Sequence, residues 1–550
     1  MPEYIKPSPI SPLTGRGVPF RFGGINDLSR IPDDMPTPPD LCDEIPPASA
    51  EEGDLPYLTI AEAATLIKDK EISPVELTVA LIKRIERLEP TLNAFITRTP
   101  ELALEQARKA EEEIQRGNYM GPLHGIPVAL KDLLCTEGIL TTGATAALSD
   151  WIPKEDSEVW RRLKAAGAIL LGKLNLNEMA GGTSGLNQFY GPARNPWNVN
   201  HITGGSSSGS GAAIAASMCL GSVGSDTGGS IRYPASFCGI TGLKPTFGLV
   251  STRAAIYLSW TRDHFGPMTK TAQDAAIMLN IMAGYDSMNP LSAPIEKDDY
   301  EAGLATSLKG MKLIVPAPSF IQTMNAGTGE DLGHTPPDPE VLKAVDDACD
   351  LLRSLGAEII EVNLSGLENF GNSPDSRAAF SVERAFYLEQ LSAERLERFG
   401  DRYRDGIIDG KETTAMTYLQ SLHQTQRASA FLEQALGDND ALILPTTIIP
   451  APLSKTVADF EEKAVQASRD ARSRGEPPPR RMEGPMAVAG PYIGPINHSG
   501  QPALSIPCGF TKSGLPIGLM IVGKRFTEAK VLGIGHAYQQ ATSWHTSRPI

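Results

Sequence analysis

The sequence is poor in cysteine and histidine and has no long apolar run. Its 550 residues contain six cysteines and eight histidines, with no Cys-x-x-Cys pair and no two histidines at the helical spacing of metal ligands. We therefore expect neither a disulfide framework nor a metal site. The most apolar stretch, residues 212–224, is shorter than the roughly 20 residues that a membrane-spanning helix needs. Residues 1–10 lack the apolar segment of a secretory signal, so we expect a protein of the reducing cytoplasm.

Positive charge is also scarce. Lysine and arginine total 50 against 65 for aspartate and glutamate, which gives a formal net charge of −15. A chain with this excess of negative charge and no run of basic residues is poorly suited to bind the phosphates of nucleic acid or an anionic membrane. We therefore expect neither as a partner. Hydrophobic residues make up 41% of the chain and charged residues 21%, which is enough apolar material for a large core.

Proline is unevenly distributed, and its distribution divides the chain. Residues 1–56 hold 12 of the 44 prolines and few regular apolar periods, which predicts an extended N-terminal arm. The remaining residues, 57–550, alternate strand and helix signals without an internal repeat, which predicts one large α/β domain. Within this domain residues 461–484 are charged and include three consecutive prolines at 477–479, so we expect a surface excursion there.

Helix starts and strand–helix alternation are the clearest structural signals. Thr59 with Glu62, and Ser73 with Glu76, have the spacing of capping boxes and predict two helix starts. Apolar periodicity and turn residues predict further elements: a strand at 126–131, a helix running into a strand at 159–171, a strand at 312–316, a helix at 339–355, a strand at 358–362, helices at 383–396 and 414–436, a strand at 441–444, a hairpin of 503–510 with 516–522, and a helix from about 528.

A cluster of serine and glycine at residues 204–211 is the first candidate for a functional site. A phosphate-binding loop of the Walker type requires lysine after its second glycine, but Ser210 follows Gly209 here. The serine–lysine pair of the penicillin-recognising enzymes is also excluded, because no lysine of the chain has a serine three positions before it.

A nucleophile elbow is the second interpretation of the same cluster. Residues 205–209 fit the pattern Gly-x-Ser-x-Gly with Ser207 at its centre, and the required histidine would be His498 or His536. An elbow normally follows a hydrophobic strand directly, whereas residues 195–203 are polar. This interpretation is the weaker one, but the residues alone leave it open.

A third interpretation adds a serine farther along the chain. Ser230 follows Gly228 and Gly229, and backbone N–H groups with no side chains in the way can form an oxyanion hole for acyl transfer. Serine is a weak nucleophile at neutral pH and needs a base. Lys131, at the end of a predicted buried strand, can act as that base if desolvation lowers its pKa from about 10.4.

With these motifs in place, the sequence resembles the amidase signature family of serine hydrolases. The resemblance covers the chain from about residue 55 to its end, with the core motifs between about 121 and 270. It implies a single large mixed β-sheet flanked by helices on both faces, and no cofactor. The motifs that carry it are residues 125–132, 204–211, 225–246, 263–268 and 500–509.

The resemblance also implies a role for each residue of a catalytic triad. Ser230 is the nucleophile, Ser206, 24 positions earlier and next to a cis peptide bond, shuttles the proton, and neutral Lys131 is the base. Thr203 stands where the family often has proline, which affects only the local loop shape. Further residues follow from the same resemblance: Thr227, Gly228 and Gly229 with Ser230 as oxyanion donors, Met179 and Gly181 as cleft lining, and Ser207, Asp226 and Arg232 as hydrogen-bonding support.

The family contains autonomous amidases and the amidase subunit of the glutamine-dependent tRNA amidotransferase. That subunit typically carries an Arg-Arg-Ile-x-Leu-Gly-Thr run, whereas residues 400–418 contain Arg402 and Arg404 without it. We therefore expect an autonomous amidase that hydrolyses a small-molecule carboxylic amide with water. The amidotransferase component is the alternative, and carbamate, ester or anilide substrates stay open, as does a non-catalytic role on the same fold, although the intact triad argues against that. A homodimer is the default expectation for the assembly.

Overall fold

A computed structural model of the chain describes Leu28, Pro32 and residues 34–46, 53–317, 336–370, 374–476 and 492–549. In this part of the chain eleven strands form one sheet in the order β1-β3-β2-β4-β6-β5-β10-β11-β9-β7-β8. The strands are β1 Phe95–Arg98, β2 Pro127–Lys131, β3 Ile169–Leu174, β4 Gly221–Asp226, β5 Thr241–Lys244, β6 His264–Thr269, β7 Lys312–Pro316, β8 Glu358–Val362, β9 Ala441–Pro445, β10 Ala503–Phe510 and β11 Pro516–Val522.

The sheet is mixed. β2 pairs in parallel with β3 and β4, and β7 pairs in parallel with β8 and β9. The pairs β1–β3, β4–β6, β5–β6, β5–β10, β10–β11 and β9–β11 are antiparallel. The predicted α/β fold with a large mixed sheet is therefore confirmed.

Helices cover both faces of this sheet. Along β11, Leu519 and Ile521 belong to one hydrophobic cluster, whereas Met520 and Val522 belong to a second. Successive side chains of a strand point to opposite faces, so at β11 the two clusters lie on opposite sides of the sheet. The first cluster also contains the consecutive residues 128–130 of β2, so there it occupies both sides. The helices among the described residues are α1 Ile60–Lys68, α2 Pro74–Leu92, α3 Pro100–Gln115, α4 Glu158–Ala165, α5 Ser208–Ala215, α6 Arg232–Cys238, α7 Ala272–Met282, α8 Pro339–Ser354, α9 Pro374–Leu388, α10 Ala393–Leu396, α11 Asp401–Glu412, α12 Ala415–Leu436, α13 Ser454–Ser473, α14 Ile493–Ser499 and α15 Glu528–Gln540.

Most predicted elements agree with the structure, and one helix does not. Both capping boxes form, and Thr59 Oγ1 accepts the N–H of Glu62 at 3.1 Å. The helix predicted over 383–396 is instead two helices, α9 and α10. The break falls where Ser392 caps α10 by accepting the backbone N–H of Arg395, a role that serine prefers to a helix interior.

The N-terminal arm and the surface excursion are only partly described. Residues 34–46 contain no helix or strand and lie on the body, where Cys42 N–H donates to the carbonyl of Pro90 at 3.0 Å. Residues 454–473 form α13, and the proline run at 477–479 lies outside the described residues. No described helix is long and apolar enough to cross a membrane. The described residues also hold no group of three or more histidine, cysteine or acidic side chains placed to bind a metal ion.

Candidate active site

Three neighbouring strands bring polar residues to one edge of the sheet. β2 and β4 are parallel, with Val128 opposite Gly221, so Lys131 and Asp226 at their carboxyl ends lie at the same edge. β6 runs antiparallel to β4 and pairs His264 with Asp226, so β6 begins where β4 ends. The loops that enter and leave these strands therefore meet at this edge.

The segment that carries Ser206 is held against the loop that follows β3. The Gly205–Ser206 peptide bond is cis, and Gly205 N–H donates to the carbonyl of Thr183 at 2.7 Å. A Cβ added to Gly205 would lie 2.1 Å from Asn177 Oδ1, which itself accepts the N–H of Gly185 at 2.8 Å. Only glycine fits before Ser206, because any side chain would displace this bonded amide.

Lys131 is fully buried and contacts three serine hydroxyls. Its Nζ lies 2.6 Å from Ser206 Oγ, 3.0 Å from Ser207 Oγ and 2.9 Å from Ser225 Oγ. A neutral amine has two N–H donors and one lone pair. Donation to Ser207 and Ser225 leaves that lone pair for the hydroxyl proton of Ser206. The three contacts fit the neutral amine, and they fit the ammonium with its three donors equally, so the pKa decides between the two forms.

The protonation of Lys131 follows from its burial. Desolvation lowers the pKa of Lys131 to about 7, although the negative charges of Asp226 and Asp263 oppose this shift. Burial disfavours the charged ammonium because the interior solvates it poorly. A large fraction of the lysine is therefore neutral near pH 7, as a general base requires.

Asp226 organises the loop between β4 and α6. Its carboxylate accepts the backbone N–H groups of Gly229 at 2.7 Å and Ile231 at 3.2 Å. Arg232 donates to both carboxylate oxygens at 3.0 Å, and Asn497 Nδ2 donates at 3.1 Å. Although burial alone would raise the pKa of Asp226, the charge and hydrogen bonds of Arg232 hold it well below its usual range. The loop is thus folded around a carboxylate that stays ionised at neutral pH.

Ser230 lies in this loop and is joined to the other serine segment. Ser207 N–H donates to the carbonyl of Ser230 at 3.2 Å. Among the described residues, the Ser230 hydroxyl and the backbone N–H groups of Thr227, Gly228 and Ser230 have no hydrogen-bond partner, and a Cβ added to Gly228 would meet only open space. Gly229 differs from the expectation, because its N–H already donates to Asp226. Three of the four expected oxyanion donors are therefore free.

The two residues expected to line the cleft occupy different surroundings. Met179 is fully buried, and its Sδ lies 2.7 Å from where a Cβ of Gly143 would stand. The Met179 side chain thus packs among buried residues, and its place in the substrate cleft stays a prediction. Gly181 is partly exposed, and a Cβ there would lie 3.0 Å from the ring of Tyr403, so the lack of a side chain lets this ring pack closely against the glycine.

The geometry does not favour the nucleophile elbow centred on Ser207. The Ser207 hydroxyl donates to the carbonyl of Ser225 at 3.2 Å and is fully buried. No hydrogen bond joins Ser207 to His498 or His536 in the described part of the chain. His498 Nε2 instead lies 3.0 Å from Arg262 Nη1. Ser207 supports Lys131 rather than pairing with a histidine.

The sequence interpretation missed several residues that shape the site. Ser225 is the third hydroxyl on Lys131, Asn177 holds the turn at Ser206, and Asn497 reaches Asp226 from α14. Ser225 precedes the Asp226 motif and lies one strand from Lys131, a placement that a prediction of neighbouring β2 and β4 would have revealed. Asn497 is 271 positions from Asp226, and no local signal marks it.

Comparison with known proteins decides the family. The family model described as Amidase matches residues 76–532, which is most of the chain. The chain belongs to the amidase family. It is accordingly a hydrolase of the class that acts on C–N amide bonds, and the expected membership of the amidase signature family is confirmed.

Curated relatives of this amidase carry a more specific name. It is 39% identical over 507 residues to the A-subunit of glutamyl-tRNA(Gln) amidotransferase from Methylococcus capsulatus, covering 89% of this chain and 98% of the relative. It is 36% identical over 517 residues to the protein of the same name from Chloroflexus aurantiacus, covering 90% and 99%. These relatives favour the amidotransferase alternative over the autonomous branch.

Solved structures similar to the amidase include proteins with both kinds of name. A 6-aminohexanoate cyclic dimer hydrolase has a TM-score of 0.77 at 26% identity, covering 90% of this chain and 99% of that one. The peptide amidase of Stenotrophomonas maltophilia has a TM-score of 0.72 at 28% identity, covering 89% and 98%. The A-subunit of glutamyl-tRNA(Gln) amidotransferase from Thermotoga maritima has a TM-score of 0.68 at 28% identity, covering 89% and 96%.

Proposed function

We propose that this amidase cleaves a carboxylic amide through an acyl-enzyme on Ser230, with Ser206 and Lys131 moving the proton. The single observation that carries the proposal is the buried Lys131 amine, which lies 2.6 Å from Ser206 Oγ at the sheet edge that also holds the Ser230 loop. Burial lowers the pKa of Lys131 to about 7, and its amine contacts three serine hydroxyls; this combination suits a general base better than a purely structural lysine.

The proposed reaction proceeds in two acyl-transfer steps. Ser230 Oγ attacks the amide carbon, its proton passes to Ser206, and the Ser206 proton passes to neutral Lys131. The backbone N–H groups of Thr227, Gly228 and Ser230 stabilise the oxyanion. The C–N bond then breaks as the proton returns through Ser206 to the leaving nitrogen. Water, deprotonated by the same pair of groups, then attacks the acyl carbon. The bond to Ser230 Oγ breaks, the proton returns through Ser206 to that oxygen, and the acid is released.

The substrate is proposed at two levels. Hydrolysis of a small-molecule carboxylic amide by water is the broader proposal, and anilide, carbamate and ester substrates would use the same acyl chemistry. The second candidate is glutamine cleavage as the amidase component of a tRNA amidotransferase, favoured by the name of relatives that the chain covers almost completely. In that case the partners include other proteins of the complex. A homodimer, the absence of nucleic-acid binding and the absence of a cofactor all stay predictions.

Ammonia and amine release from a panel of amides tests the proposal and separates the two candidates. The panel holds L-glutamine, aliphatic amides, an anilide and a peptide amide, and the purified chain is compared with Ser230→Ala. We expect turnover of at least one compound and a loss of at least about 10³-fold in the variant. Turnover of amides other than glutamine by the chain alone supports an autonomous amidase, whereas activity restricted to glutamine supports the amidotransferase candidate. Equal activity of the variant would refute the role of Ser230.

A further inference from the structure

Asp263 lies opposite Thr227, the first residue of the loop between β4 and α6 (residues 227–231), which we call the oxyanion loop. β4 and β6 are antiparallel and pair Asp226 with His264, so the next residues beyond this pair are Thr227 and Asp263. The side chains meet there, and Thr227 Oγ1 donates to Asp263 Oδ1 at 2.5 Å. Asp263 is 4% exposed, so little water competes for this contact.

The second oxygen of Asp263 holds the loop that precedes β6. Its Oδ2 accepts the backbone N–H groups of Leu258 at 3.0 Å and Ser259 at 3.1 Å. The same loop is anchored from α9 by Glu383, whose carboxylate accepts the Ser259 hydroxyl at 2.6 Å. Asp263 thus joins the oxyanion loop to a segment that is fixed on its far side.

The oxyanion loop needs such an anchor because it contains two adjacent glycines. Gly228 and Gly229 give the backbone freedom that other residues lack, and an oxyanion hole works only when its donors are held in place beforehand. Asp226 fixes the carboxyl side of the loop through Gly229 and Ile231. In this region the side chain of Thr227 on the amino side is held by Asp263.

We propose that Asp263 is a positioning residue for amide cleavage, which fixes Thr227 so that the backbone N–H groups of Thr227 and Gly228 point to the oxyanion. This inference rests on the proposed function of the Ser230 loop. Asp263 touches neither the substrate nor the reacting atoms and acts through Thr227. Two carboxylates, Asp226 and Asp263, therefore hold the loop from its two sides.

Asp263 has an electrostatic effect on the site as well. Burial raises the pKa of Asp263 to about 7, against the opposing hydrogen bonds from Thr227, Ser259 and Leu258. Its negative charge in turn raises the pKa of Lys131. Loss of that charge lowers the pKa of Lys131. The rise of activity with pH, which is the acid limb of the pH–activity profile, then shifts to lower pH. The titratable groups that interact with Asp263 come from four parts of the chain: Lys131 of β2, Tyr257 of the preceding loop, Glu383 of α9 and Tyr403 of α11.

The rate at which a fluorophosphonate labels Ser230 tests the inference directly, because phosphonylation develops charge on an oxygen in the same hole. Thr227→Val keeps the backbone N–H and the shape of the side chain but loses the hydroxyl that donates to Asp263. We expect it to slow labelling by about 10–100-fold, and we expect a similar loss for Asp263→Asn. The double variant should be no slower than the worse single variant, because the two residues share one bond. Thr227→Ser keeps the hydroxyl and should label within about threefold of the wild-type rate.

Asp274→Asn is the matched control. Asp274 is also a fully buried carboxyl, bonded to the N–H of Ala61, and burial raises its pKa to about 6. The Asp274→Asn variant should leave both the labelling rate and its pH dependence unchanged. Asp263→Asn, in contrast, should move the acid limb of the labelling profile to lower pH.

The outcomes separate this inference from the proposed function. Wild-type rates in Thr227→Val overturn the inference, and this variant decides the matter even if Asp263→Asn does not fold. Fully additive losses in the double variant also overturn it, because they mean that Asp263 acts by another route. Absence of any label on Ser230 in the wild type instead refutes the proposed function, and the inference with it.

Discussion

The protonation of one lysine decides what the candidate site can do. Lys131 is fully buried, its pKa is lowered to about 7, and each of its hydrogen-bonding positions meets a serine hydroxyl. The sequence allowed a base to be predicted here, because the lysine ends an apolar strand. It did not reveal Ser225, since that contact depends on the pairing of β2 with β4, which no local pattern encodes.

We predict that the pH dependence of kcat/KM reports Lys131. Activity should rise with pH through about 7 and then level off, because the lowered pKa of Lys131 makes the lysine neutral only above that value. Lys131→Ala should reduce kcat/KM by about 10²–10⁴-fold and remove this limb. The measurement is a series of initial rates between pH 5 and 9, a range of about two units on either side of that pKa.

Lys270→Gln is the control for that assignment. Burial also lowers the pKa of Lys270 to about 7, but its Nζ donates to the carbonyls of Pro56 and Leu58, away from the serine loops. This variant should keep the acid limb. Loss of the limb in Lys270→Gln, or its persistence in Lys131→Ala, would assign the limb to a group other than Lys131.

At the scale of elements, close packing of α5 against the end of β3 places the Ser206 segment. Gly209 N–H donates to the carbonyl of Asn175 at 2.9 Å, and a Cβ on Gly209 would lie 2.3 Å from the carbonyl oxygen of Ala94 and 2.5 Å from Asn175 N. The sequence identified the glycine-rich cluster but not the reason for this glycine, which is the approach of two backbones from distant segments.

Gly209→Ala should therefore destabilise the protein and impair the site together. Backbone atoms cannot move aside as a flexible side chain does, so we expect a loss of about 1–3 kcal/mol in the free energy of unfolding and a fall in turnover as α5 shifts. Gly509→Ala in β10 is the matched control, because its Cβ would only approach Ala344 Cβ at 3.2 Å. Urea unfolding and kcat are measured on both. Wild-type stability and kcat in Gly209→Ala would contradict the packing argument.

Local sequence patterns predicted the bounds of strands best where turn residues flank an apolar segment. The strands at 312–316 and 358–362 and the hairpin of 503–510 with 516–522 were predicted with the bounds that the structure has. The helix over 383–396 was predicted without its break, because Ser392 has no strong local signal until its capping bond is seen. Gly229 likewise was expected to donate to the oxyanion, whereas Asp226 takes its N–H.

At the scale of the whole molecule, one sheet gathers the site from distant parts of the chain. Lys131, Ser206, Asp226 and Ser230 lie within 100 positions of one another, and Asn497 joins them from α14. The motif order was sufficient to predict the family and the mixed sheet. The motifs did not predict the branch of the family. The lack of an Arg-Arg-Ile-x-Leu-Gly-Thr run near residues 400–418 favoured an autonomous amidase, whereas the curated relatives favour the amidotransferase component. Composition and motifs fix the chemistry of the site, whereas the substrate depends on how the loops around it are arranged.

The most direct test of the central claim is the intact mass of the protein after reaction with a fluorophosphonate probe, followed by peptide mapping of the adduct. Wild-type protein should carry one adduct on Ser230. That adduct should be absent from Ser230→Ala and strongly reduced in Lys131→Ala, because the nucleophile and its base are then missing. An adduct on Ser207, or unchanged labelling of Ser230→Ala, would contradict the account and support the nucleophile elbow instead.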